Sequence, residues 1–318
     1  MITPVFLTVD TELRWAHHVA GLPLDEIVRR SLEPAGVGVG YHLERMARHG
    51  LKGTFFVDPM PALVHGLGPI RRVVEAILDA GQEVQLHCHP NWTGADTGDR
   101  ARTAPRFDLA DYSDDEQLQL IEGARDLLMA AGAPDPVAFR AGAFAANDAT
   151  LDALATLGLS YDSSHNGAEH PKPSALSLPA ALIGPVAHRG IIEVPVSLVE
   201  DRPGSLRPLQ LCAVSMGELA AALDHAARHR HGAVTIVSHG FELANRAGTR
   251  PNAIHVRRFD RLCELLERRA DVLPTEHFAD CPVLRPGMTD KPLGPDPLRT
   301  HWRRAEQLWS NWVEERAA

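Results

Sequence analysis

Two short segments place like groups two residues apart: Asp10 and Glu12 in TVDTE (8–12), and His87 and His89 in QLHCHP (85–90). In an extended chain, residues i and i+2 project to the same face. Asp10 and Glu12 therefore point together, as do His87 and His89, while Cys88 turns the other way. Two carboxylates facing two imidazoles suit zinc or another divalent metal, and a carboxylate left free of the metal could act as a base. Taken singly, each residue also has a plain structural reading, as a turn cap, a solvated acid or a hydrogen-bonded core histidine. The combination gains weight from Arg140 in AFRAGAF (138–144) and His239 in VSHGFE (237–242), which end apolar runs where an unpaired polar group would be costly. Asp162 in YDSSHN (161–166) is a further candidate, although Asp-Ser-Ser is also an ordinary turn or cap signal.

These residues need a scaffold that brings separate strand ends together. Short β-rich runs at 5–10, 53–58, 83–89, 137–142, 159–164, 191–197 and 233–239, with a weaker one at 271–278, read as seven or eight strands. Between them, amphipathic segments at about 39–49, 69–80, 114–131, 147–157, 215–230 and 252–269 read as helices, several ending in a glycine stop. The alternation predicts an α/β fold, a (β/α)7 or (β/α)8 barrel over residues 1–285. All the candidate residues then fall at carboxyl ends of strands, where barrel enzymes keep their sites. Long insertions at 90–113 and 163–190 follow strands and are expected to shape a cleft. Residues 286–318 read as a proline-rich linker and a C-terminal amphipathic helix from about 297 to 316. Its stripe of Trp302, Ala305, Trp309, Trp312 and Val313 is expected to dock on the barrel or on a second copy in a homo-oligomer.

The ordered series DTE (10–12), GQEVQLHCHP (81–90), RAGAF (140–144), YDSS (161–164) and SHG (238–240) resembles the five successive motifs of the polysaccharide deacetylase superfamily, the family 4 carbohydrate esterases. The resemblance covers about residues 3–280 and lies in the order and spacing of the segments. It implies a distorted (β/α)7 barrel, with Asp10 as general base, His87 as a metal ligand, Arg140 orienting the base and His239 as general acid. Two departures mark a divergent branch. Thr11 stands where the family has a second adjacent aspartate, and Asn91 stands where it has a second histidine, so the second imidazole ligand is His89 or its place is taken by Asn91. Strand alternation favours His89, giving Glu12, His87 and His89 as the metal set. Trp15, Trp92 and Phe144 are candidate substrate contacts, the two tryptophans as exposed stacking surfaces.

Composition narrows the class of partner. The chain has 318 residues, 44% hydrophobic and 23% charged, enough for a sizeable core. A formal charge of −9 disfavours nucleic acid. No segment approaches the roughly 20 apolar residues that cross a bilayer, and the terminus MITPVFLTVDTE reads as a strand, so a cytoplasmic location is expected. Cys88, Cys212, Cys263 and Cys281 form no CxxC pair and are expected to be reduced. The sequence therefore points to a metal-dependent, most simply zinc-dependent, deacetylase acting on a sugar or a small acylated amine. The rivals are a non-catalytic carbohydrate-binding barrel and a glycoside hydrolase, which has no use for a histidine pair at metal spacing.

Overall fold

The computed structural model describes residues 2–95, 106–287 and 289–315. The centre of the first insertion and the end of the expected C-terminal helix lie outside these residues. An eight-stranded sheet forms the centre, and its strands in chain order are β1 (Val5–Thr11), β2 (Thr54–Val57), β3 (Glu83–Cys88), β4 (Ala138–Ala141), β5 (Tyr161–Asp162), β6 (Val186–His188), β7 (Ile191–Glu193) and, after a separate hairpin of β8 (Leu198–Arg202) and β9 (Ser205–Pro208), β10 (Val234–His239). The spatial order is β10-β1-β2-β3-β4-β5-β7-β6, parallel throughout except for the β6–β7 edge.

The curl of this sheet nearly closes it. Past β7, Ser197 donates its N–H to the Thr235 carbonyl and accepts the Thr235 N–H on its hydroxyl, and Gln210 bridges Val237 beside β10. A few hydrogen bonds rather than a full ladder span the gap, which makes the α/β fold a distorted barrel, in line with the sequence reading.

Alternation sorts the strand residues into two environments. Val5, Leu7 and Val9 of β1, Val84, Leu86 and Cys88 of β3, and Phe139 and Ala141 of β4 all join the large cluster beneath the helices. The intervening residues face the barrel interior. At its base Phe6, Phe56, Ala138, Tyr161 and Phe278 form an aromatic floor, with Phe6 stacked on Phe278 at 4.2 Å between centroids. Above that floor the inward positions become polar: Thr8, Asp10, His87 and Arg140.

The surrounding helices are α1 (Trp15–Val19), α2 (Leu24–Leu32), α3 (Val39–Arg48), α4 (Ala62–His65), α5 (Gly68–Asp79), α6 (Asp114–Ala130), α7 (Asp148–Thr156), α8 (Met216–His229), α9 (Ala253–Arg268) and α10 (Pro297–Trp309). Helix α5 shows why they form: Ile70, Val73, Val74 and Ile77 recur at helical spacing and are all buried. Capping boxes start α6 (Ser113 with Glu116) and α8 (Ser215 with Glu218). Residues 15–32, left unassigned by the sequence reading, supply α1 and α2.

One expectation is corrected and a second is narrowed. The segment 271–278 is not a strand: Pro274 lacks an N–H, and only Thr275 bridges Val5, where β1 has not yet met β2. Of the two places expected for the aromatic stripe of α10, the barrel and a second copy, the barrel is not the one it packs on. The helix seats through its polar face, with Arg303 at 2% exposure bound to Asp201 at 2.6 Å and Glu218 at 3.1 Å, while Trp302 and Trp309 remain 65% and 60% exposed. A buried guanidinium with two carboxylate partners anchors more firmly than indole contact on a surface already covered by charge.

Candidate active site

Strands β1, β3, β4 and β10 carry their polar ends to the same mouth of the barrel. Asp10, on β1, is 2% exposed and lies opposite His239 in the parallel β1–β10 register. Arg140 on β4 reaches across the interior and is fully buried. Its Nη1 donates to Asp10 Oδ1 at 2.6 Å and to the Thr8 hydroxyl at 2.8 Å, while Nε and Nη2 donate to the Ser163 carbonyl and hydroxyl at 3.1 and 3.0 Å. The Phe56 ring lies 4.4 Å below the guanidinium carbon. A buried cation so fully partnered is stable where a lone one would not be. It also leaves Asp10 held in one orientation.

Glu12, His87 and His89 converge beside this pair, with one donor atom from each within 4.8 Å of the others. The second member of each sequence pair stands just past its strand, since β1 ends at Thr11 and β3 at Cys88. His89 nevertheless keeps extended backbone (φ −107°, ψ 102°), so alternation carries through and both imidazoles face Glu12. His87 Nδ1 lies 2.7 Å from the Arg140 carbonyl. A carbonyl only accepts, so Nδ1 carries the hydrogen and Nε2 is turned to Glu12, 3.6 Å away. His89 Nε2 pairs directly with the same carboxylate oxygen. Burial opposes ionisation of Glu12, but His89 and His87 hold its carboxyl well below the usual carboxylate range. Burial likewise disfavours a charged His89 ring, yet Glu12 and Asp58 hold it up at about 9.

Gly142 explains how His89 fits. Any Cβ at this position would overlap the imidazole, so only glycine lets the strand β4 exit pass the ring. Two imidazoles and a carboxylate, one imidazole fixed in its tautomer by a carbonyl, fit a divalent metal by donor type and by hydrogen-bond pattern. Asn91, the other candidate for the second position, is buried, and its amide oxygen has no hydrogen-bond partner among the described residues.

His239 faces this cluster from β10. Its Nε2 is 3.8 Å from Asp10 Oδ2, and its Nδ1 is 3.7 Å from Glu242 Oε1, which also accepts from Gln210 at 2.7 Å. Burial alone would discharge the ring, but the Glu242 and Asp10 carboxylates keep it protonated up to about 9. Glu242 is buried too, and its ring partner His239 draws its carboxyl down to about 2. Sequence reasoning missed Glu242, although its spacing three residues after His239 in SHGFE was the available signal. It also missed Asp58, fully buried beneath the histidines, where burial pushes the carboxyl up to about 6.

Four other sequence candidates stand differently. Asp162 has its contacts with Ser164, at 2.7 Å to the hydroxyl, and with Glu193, its register partner on β7. It belongs to a buried carboxyl pair rather than to the partners of His239. Trp92, expected as an exposed stacking surface, is 1% exposed. It sits in a short turn after Pro90 and packs against Trp15, His18 and His65 at 4.9–5.8 Å, which leaves no ring face for a ligand. Trp15 is half-buried over it, and Phe144 packs with Val196 and Val237 near the Arg140 guanidinium.

No family model and no curated protein matches the chain. Solved structures do. An inferred polysaccharide deacetylase from Mycobacterium smegmatis superposes with a TM-score of 0.58 at 20% identity, over 91% of this chain and 94% of that one. A 4-alpha-glucanotransferase from Thermococcus litoralis matches with a TM-score of 0.52 at 9% identity, over 88% of this chain and 40% of that one. A family 4 carbohydrate esterase from Streptomyces lividans, solved with acetate, matches at 15% identity over 92% and 98%, but its TM-score of 0.44 is too low to bear on the argument. The chain therefore shares the fold of the first of these three structures, which it matches nearly end to end at 20% identity.

Proposed function

We propose that the chain is a metal-dependent hydrolase that removes an acyl group, most simply N-acetyl, from a sugar or related amine. The observation that carries this reading is the placement of Asp10, locked by Arg140, between the Glu12–His87–His89 donor set and His239. Glu12, His87 and His89 would hold the metal, zinc by donor type, and a bound divalent cation at such a site lowers the pKa of water and polarises a carbonyl.

The chain's own groups divide the proton work. Asp10 Oδ2, free of the arginine that holds Oδ1, accepts the proton of the attacking water. Arg140 keeps that carboxylate ionised and aimed. His239, protonated and braced on Nδ1 by Glu242, donates from Nε2 to the departing amine nitrogen. The aromatic floor of the barrel excludes solvent from below.

A cytoplasmic setting belongs to the same reading: all four cysteines are free thiols, as suits a reducing compartment. No helix among the described residues is long and apolar enough to cross a membrane. Self-association through the outer face of α10, where Leu298, Trp302 and Leu308 are exposed, is part of it as well.

The test is release of acetate from N-acetylated sugars by metal-loaded protein, with Asp10→Asn as control. Glycosidic cleavage, or sugar binding without any turnover, would replace this reading with one of its rivals.

A further inference from the structure

The segment DHAARHRHG (224–232) ends α8 with three histidines, at the amino end of β10 and so at the opposite end of that strand from His239. His225 and His229 are four residues apart and share one face of the helix. His231 joins them because Arg230 is left-handed (φ 59°, ψ 48°), which turns the chain back and lets the His231 N–H donate to the Ala226 carbonyl at 3.0 Å. The ring centroids lie 4.1 Å apart for His225 and His229, 5.2 Å for His225 and His231, and 6.4 Å for His229 and His231.

Hydrogen bonds settle which ring nitrogens are available. His225 Nε2 lies 3.1 Å from the Lys291 carbonyl, and His229 Nδ1 lies 2.8 Å from the His225 carbonyl. A carbonyl only accepts, so in the neutral rings these nitrogens carry the hydrogens, and His225 Nδ1 and His229 Nε2 keep their lone pairs. Metal-binding imidazoles are oriented in this way, each tied through its other nitrogen to a carbonyl or carboxylate. A cation held here also stands at the carboxyl end of α8, the negative end of the helix dipole.

We propose that His225, His229 and His231 form a second divalent-metal site, of the imidazole kind that suits zinc, copper or nickel. The hydrolase reading uses none of these rings and is independent of it. Among the described residues only Glu12, His87 and His89 bring one donor atom each within 4.8 Å of the others, so the second site is open. Closing it takes a swing of the exposed His229 ring towards the half-buried His225 and the buried His231, which makes it the weaker of the two. Added metal fills it, whereas metal that survives purification belongs to the Glu12 set. The linker to α10 is held at the same place, Lys291 by His225 and the Asp290 carboxylate by the Gly232 N–H at 2.7 Å, so a metal that fixes His225 also fixes the linker.

The experiment titrates chelator-treated full chain, with the exposed Cys281 thiol alkylated, with Zn(II) by calorimetry. The wild type should take two equivalents at saturation, and His87→Ala should keep one. His225→Ala and His229→Gln should each weaken the second equivalent at least about tenfold, the lower end of what is lost when a ligand's support alone is disturbed. Both replacements are good helix formers, so melting temperatures without metal should stay at the wild-type value and show that the fold is kept. Cu(II) added to His87→Ala protein should give a paramagnetic resonance spectrum with imidazole nitrogen coupling that changes when His229→Gln is added. Two equivalents whose affinities neither replacement alters, or one equivalent that is lost in His87→Ala and kept in His229→Gln, overturns the second site. One equivalent that is weakened in His229→Gln and kept in His87→Ala upholds it and takes the metal away from the hydrolase reading. No binding in any of the proteins removes both.

Discussion

The two oxygens of Asp10 have different neighbours: Oδ1 is held by Arg140 Nη1 at 2.6 Å, and Oδ2 faces His239 Nε2 at 3.8 Å. One oxygen is thereby tethered and the other is left to the reacting centre. Asp10→Asn should lower kcat by roughly 10²–10⁴-fold, since an amide keeps the shape but accepts no proton at neutral pH. Metal content should stay at that of the wild type. Acetate release and plasma-emission analysis on one preparation check both, and metal loss in Asp10→Asn would make Asp10 a ligand instead.

About one equivalent of divalent metal, zinc by donor type, should co-purify, and His87→Ala or His89→Ala should remove it. Gly142→Ala should weaken metal binding on the order of 10- to 100-fold by displacing His89, the range seen when a ligand's support is disturbed. Cys88→Ser should retain the metal, because the thiol lies in the core beneath the helices, and should cost about 1–3 kcal/mol for burying a hydroxyl there. Metal loss in the serine variant would show that the β3 register is wrong.

Glu242→Gln should shift the pH profile. His239 is held at about 9, so an acid that must be protonated stays active up to that pH and fails as pH rises through it. Without the Glu242 carboxylate the ring loses its principal stabilising partner, and the alkaline limb of kcat/KM should move down towards the ordinary histidine range, about 6.5. Glu242→Asp should restore part of the shift. An alkaline limb that does not move in Glu242→Gln would deny Glu242 its bracing role.

The buried pair of Asp162 and Glu193 should make stability depend on pH in the opposite way from acid denaturation. Burial raises both carboxyls, Glu193 most, aided by the Asp162 charge beside it. The folded state therefore keeps a proton that the unfolded chain releases above the ordinary carboxyl range, about pH 4.3. Stability contributed by that proton is present at low pH and lost as pH rises towards the folded-state values. Glu193→Gln mimics the protonated acid and can still accept the His165 N–H. Melting temperatures should match near pH 5 and exceed wild type at pH 8 by about 2 °C, on the order of 1 kcal/mol.

The parts of the site that obeyed strand periodicity were legible in the sequence. Asp10, His87 and Arg140 alternate with Val9, Leu86 and Phe139, and the apolar partners announce which face is the core. The burial of Trp92 was not legible because no periodicity governs a three-residue turn, and its indole is covered by α1, far off in sequence. Glu242 stayed hidden for a related reason: its place beside the His239 ring depends on a turn that folds back after β10. Asp162 carries a motif-like sequence, but Glu193, 31 residues on, decides its environment. The stripe of α10 has the expected helical period but faces away from the barrel, because Arg303 rather than the tryptophans found buried partners there.

Arg140 has two roles that seem separate until its atoms are traced. Its side chain holds Asp10, and its own carbonyl holds His87. A single residue thus links the proposed proton acceptor to the proposed imidazole ligand, its extension set by the hydrogen bonds that hold the guanidinium. A displacement of Arg140 would therefore disturb the proposed base and the proposed ligand at once, where a site held by independent residues would lose one alone.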